Sequence, residues 1–105
     1  MPEIRHVEET IHCRSTTPGK QGSDIAKSKF DLIHKTLVDI LSKAGPEGVP
    51  SRDMTEEINQ RLTISDKASI GSVMWYFMAV KQEMEMRGEI ADVPLKVPER
   101  IKLVT

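Results

Sequence analysis

A chain of 105 residues, 38% hydrophobic and 30% charged, is one domain's worth of soluble protein, long enough to bury a core without disulfides or metals and too apolar to be disordered. Its formal net charge of -1 lends no support to strong nonspecific phosphate binding, and its single cysteine, Cys13, excludes an internal disulfide. No segment reaches the ~20 apolar residues of a membrane span, and "MPEIRHVEETIHCRS" lacks an apolar run of signal-peptide length, so a cytoplasmic protein with no membrane partner is expected.

Residues 1–24 read as an N-terminal extension and residues 25–105 as the folded domain. Within the extension, "TIHCR" predicts a short strand from Thr10 to Arg14, with Ile11 and Cys13 on one face. "STTPGKQGSD" predicts a loop, because proline, two glycines and small polar residues punctuate it. From Lys27 to Ala44 the spacing is helical: Phe30, Ile33, Leu37, Ile40, Leu41 and Ala44 form one apolar stripe. Ser28 and Asp31 suggest a weak cap in its first turn. "GPEG" ends it, since glycine suits the left-handed exit and Pro46 cannot continue a helix.

Val49 is expected to make a strand-like contact, and Ser51 to cap a second helix of about three turns carrying Met54, Ile58 and Leu62 on one face. A third helix, capped by Ser65 or Ser69, is expected to run to Arg87, with Ile70, Val73, Phe77, Val80 and Met84 inward and Gly88 as its stop. The tail predicts two strands around a turn, Ile90 to Val93 and Arg100 to Val104, with Ile101 and Leu103 alternating against Arg100 and Lys102. The fold class is therefore mainly α with a small β component.

Three helices followed by a β-hairpin wing resemble a winged helix-turn-helix. The residues that carry the likeness are "VPSRDMTEEINQRL", the third helix, and "RGEIADVPLKVPERIKLV" as the wing. The chain is also similar to a family of small, uncharacterised bacterial proteins. The shared entry is Pro18, Gly19, Lys20, Ile25, Lys29, Phe30 and Asp31. The shared ending is Gly71, Ser72, Trp75, Tyr76, Val80, Lys81, Glu85, Arg87, Gly88, Glu89 and Ile90. The resemblance implies a fold and no reaction.

In a DNA-binding winged helix the third helix enters the major groove and needs outward donors and positive charge. Here Ser69, Ser72 and Tyr76 supply polar groups opposite the core stripe, together with Ala79, Glu83 and Met86, and with Gln82 on the flank. Lys67, Lys81 and Arg87 are its cations, and Glu83 and Glu85 oppose them. Residues 46–66 hold five acids against Arg52 and Arg61. On the wing, Lys96, Arg100 and Lys102 are candidate phosphate contacts; the alternative is that they are solvated strand residues. Trp75, Ala79 and Met86 form a second apolar stripe, which suits an interface with another chain; the alternative cover is intramolecular, from Ile4, Val7, Ile11 and Cys13.

No catalytic, cofactor-binding or metal-ligating constellation is legible. "PGKQGSD" lacks the glycine spacing and terminal Lys-Ser/Thr pair of a P-loop. His6, His12, Cys13 and His34 match no zinc spacing. The expectation is a non-enzymatic winged-helix module with two readings: a nucleic-acid-binding, transcription-associated protein, or a protein-interaction and homodimerisation module that does not bind DNA.

Overall fold

A computed structural model of the chain describes residues 9–94 and 98–104. Among these the protein is mostly helical, with two small antiparallel sheets. Its first element is a hairpin of β1 (Thr10–Cys13) and β2 (Ser23–Ala26), in which Ile11 faces Ile25 and Cys13 faces Ser23. The strand pleat turns Cys13 and Ile25 into the core and leaves His12 and Asp24 outside, 2.6 Å apart. β2 occupies the end of the stretch expected to be loop. Its short polar start, "SD", gave no strand signal, and only pairing with β1 makes it one. Gly22 closes the loop at φ +81°, where a Cβ would strike the Cys13 carbonyl oxygen.

Helix α1 (Lys27–Ala44) has the expected bounds and buries Phe30, Ile33, Leu37, Ile40 and Leu41. Ala26 sits at the N-cap with no side-chain bond, and Asp31 pairs with Lys27 one turn away. Buried Thr36 returns its hydroxyl to the Leu32 carbonyl at 2.7 Å, which satisfies it within the helix. Gly45 (φ +69°) ends the helix, and residues Gly45–Glu47 make one 3-10 turn.

The strand contact expected of Val49 is real: β3 (Val49–Pro50) lies antiparallel to β5 (Arg100–Leu103), Val49 facing Ile101. β5 also pairs with β4 (Ile90–Asp92), giving the order β3-β5-β4. Pro50 is tolerated because β3 is an edge strand. Ser51 does not cap the second helix. It opens a 3-10 turn, Ser51–Asp53, and its N–H is taken by the Glu99 carbonyl at 2.9 Å. Helix α2 (Met54–Arg61) is thus two turns rather than three, with Met54 and Ile58 buried.

The single third helix is the main correction. It is two helices, α3 (Ile64–Ile70) and α4 (Val73–Met86), so four α-helices stand among the described residues. Gly71 at φ +77° breaks the run, and the Ser72 hydroxyl caps the restart by accepting the Trp75 N–H at 3.2 Å. Neither Ser65 nor Ser69 is a cap. Thr63 begins α3 through a reciprocal capping box with Asp66. Gly88 (φ +74°) is the stop, with the Glu89 N–H returning to the Met84 carbonyl.

One core joins these parts. Helices α1, α2 and α4 pack together, β5 covers α1, and the β1–β2 hairpin lies across α1 and α4. Ile101 is fully buried and Leu103 partly so. No helix among the described residues is long and apolar enough to cross a membrane.

Candidate functional site

Helix α4 carries Trp75, Tyr76, Ala79 and Met86 of the residues singled out from the sequence. Its inner face buries Val73, Phe77, Val80 and Met84. Its outer face leaves Met74 57%, Trp75 47%, Met78 43% and Met86 46% exposed. Burying such side chains is worth about 1.5–3 kcal/mol each, so a face that keeps several in water is a candidate contact surface. Trp75 and Ala79 line a single groove of about 320 Å³ against the loop joining β1 to β2, and Ala79 is half-buried there. Met86, two turns further along, lies outside that lining.

Of the expected intramolecular cover, Cys13 is 2% exposed in the main cluster and also lines the groove beside Trp75 and Ala79, and Ile11 is partly buried against the core. Ile4, Val7 and His6 lie outside the described residues. His12 pairs with Asp24, which holds its pKa above the usual value. His34 stacks on Phe30 with centroids 5.5 Å apart and meets Glu89 at 3.0 Å.

Glu83, placed by helical spacing on the outward face, is buried. Its carboxylate accepts the Arg14 N–H at 2.9 Å, the Arg14 Nε and Nη2 at 3.0 Å each, and the Arg87 Nε at 2.8 Å. Those donors hold its pKa down to about 2, against the desolvation that alone would raise it. Arg87 also lies over the Phe30 ring, 5.0 Å from its centroid. Next to it, Gln82 Oε1 accepts the Ser15 hydroxyl at 2.9 Å and the Thr16 N–H at 3.0 Å. These contacts clamp the hairpin loop onto α4. The i,i+4 spacing of Glu83 and Arg87 was the only sequence signal for any of this; Arg14, 69 positions away, gave none.

The polar candidates do not converge. Ser69 is exposed near the end of α3, and the Ser72 hydroxyl is engaged as the α4 cap. Tyr76 is half-buried, with the Trp75 ring edge-on at 4.9 Å and Lys29 Nζ 5.7 Å from its centroid. Arg100 donates from Nη1 to the Gly48 carbonyl at 3.2 Å and leans toward that of Glu47 at 3.4 Å, so it braces the sheet. Lys102 lines an apolar hollow with Leu41, Pro46 and Leu103. Lys96 lies outside the described residues. The α4 cations are committed as well: Lys81 lies 2.9 Å from Glu85 as an ion pair without hydrogen-bond alignment, and Arg87 is held by Glu83.

The site is thus the apolar outer face of a long helix, flanked by a loop that the same helix holds in place. The chain belongs to a family of unknown function (DUF6958), which it matches over residues 10–101. That agrees with the resemblance to an uncharacterised family. No curated protein and no solved structure matches it.

Proposed function

We propose that this chain is a non-enzymatic winged-helix module that acts by binding another protein through the outward face of α4. The order of helix, short strand, helices and hairpin, with β3 against β5, is read as a winged helix whose third helix is α4. One observation carries the reading: Met74, Trp75, Met78 and Met86 are exposed on the helix that would have to enter a DNA groove. Such a helix favours protein contact, because interface cores are rich in methionine and aromatic residues and poor in free charge. Cys13 supports the non-enzymatic part, since burial pushes its thiol up to about 11, far from a reactive thiolate.

The opposing reading, DNA binding, is favoured by the element order alone. The charges count against it: Lys81 and Arg87 are paired with glutamates, Arg100 is engaged by backbone carbonyls, and Ser72 is spent as a cap. Generic duplex DNA titrated at low and moderate salt decides between the readings. No binding is expected even at low salt; binding that weakens steeply with salt overturns the proposal. Light scattering on wild type and Trp75→Ala then tells whether the partner is a second copy. A dimer that Trp75→Ala converts to monomer identifies self-association, and a monomer in both assigns the face to a different protein.

A further inference from the structure

The groove beside Trp75 has a chemistry of its own. Trp75, Met78 and Ala79 make an apolar wall on α4 that ends at Gln82, and Arg14 and Lys20 come from the hairpin loop. Among the described residues, no aspartate or glutamate lines it. The two acids next in sequence to lining residues are paired: Glu83 with Arg14 and Arg87, and Asp24 with His12. Arg14, Glu83 and Arg87 together keep one positive charge, and Lys20, with no partner among the described residues, adds a second. A chain of net charge -1 therefore presents, among the described residues, a locally positive rim without carboxylates around an aromatic and thioether wall.

Gln82 sharpens the preference. Its Oε1 is fixed by the Ser15 hydroxyl and the Thr16 N–H, so the orientation of the amide is set by its partners. The amide NH2 has no partner among the described residues and is left as a donor beside the groove. Loop cations, a helix-borne donor and an apolar wall in one groove suit a ligand with an acceptor next to an apolar side chain. A bare phosphate would leave the wall unused, and a purely apolar segment would leave Lys20 unmatched.

We infer that this groove receives a short extended segment of a partner protein in which acidic residues flank large apolar ones. The apolar side chain lies on Trp75 and Met78, and a carboxylate meets Lys20 and the Gln82 amide. This rests on the reading of α4 as a protein-binding face and adds the partner's chemistry to it.

Trp75 is the sole tryptophan of the chain, so its emission reports occupancy directly. The full chain is titrated with a capped peptide EDLFDE, with its neutral counterpart QNLFNQ, and with generic duplex DNA. The acidic peptide is expected to change the emission saturably, and the neutral one to bind about tenfold more weakly or worse. Lys20→Glu, at an exposed loop position, should weaken the acidic peptide by a similar factor with circular dichroism unaltered. Lys43→Glu, in the last turn of α1 and outside the groove lining, should bind like wild type. Equal binding of both peptides, or indifference to Lys20→Glu, overturns the acidic specificity and leaves the α4 reading standing. An emission change with duplex and none with peptide overturns both. Silence with all three probes overturns the groove proposal alone, since the absence of duplex binding is what the α4 reading requires.

Discussion

Glu83 shows what a single residue decides in this molecule. A carboxylate with 3% exposure persists because four donor contacts from Arg14 and Arg87 replace its water. Glu83→Ala is expected to destabilise the chain by about 2–3 kcal/mol in urea unfolding, less than a fully buried pair because both arginines still reach water. Its acid response has a definite sign. The folded pKa of about 2 lies below the ordinary 4.5, so this stability is complete above pH 4.5 and is lost as pH falls toward 2. The ceiling is roughly 3 kcal/mol, and Glu83→Gln should flatten the unfolding free energy across that window. Cys13 responds in the opposite direction. Its thiol is pushed up from 9.0 to about 11, so its stability is present below pH 9 and is lost as pH rises toward 11. A thiol reagent at neutral pH should leave native Cys13 unmodified and label it fully in denaturant, which a timed absorbance assay with and without urea measures.

Among the elements, the long periodic ones were legible and the short ones were not. Helix α1 has the bounds its apolar stripe implies, because eighteen residues of consistent spacing outweigh any single cap. The third helix was overextended because Ile70, Phe77 and Met84 keep helical spacing across the Gly71–Ser72 break. A glycine there reads as tolerated until its φ is known. The caps failed for a related reason: serines recur through this region, and which one accepts an N–H depends on where each helix actually starts. Two glycines of similar φ separate backbone freedom from close approach. Gly45→Ala meets open space and should cost about 1–3 kcal/mol, the penalty of a backbone at φ +69° and ψ -155° that glycine alone adopts readily. Gly48→Ala meets the Ile101 carbonyl as well, must spread β3 from β5, and should cost more than Gly45→Ala. Thermal unfolding of the two variants side by side measures the difference.

For the molecule as a whole, β5 ties the start of the fold to its end, pairing with β3 and β4 while its inner face packs on α1. Ile101 is fully buried at that junction, so Ile101→Ala should cost about 2–5 kcal/mol by chemical denaturation and lower the midpoint without altering the slope. The sequence by itself determined the class of architecture: a mainly helical core, the hairpin tail, and an α4 that is apolar on more than one face and short of cations. These are properties of periodicity and local composition, which the chain carries wherever it is cut. Only the tertiary structure decided that Glu83 is buried rather than solvated, that Arg14 reaches it from the opposite end of the chain, that Arg100 is spent on the Gly48 carbonyl, and that Trp75 borders a groove built with the hairpin loop. Each is a pairing between residues far apart in sequence. Helical and strand spacing fix which side of its own element a residue occupies, and they are silent about what the fold brings to meet it.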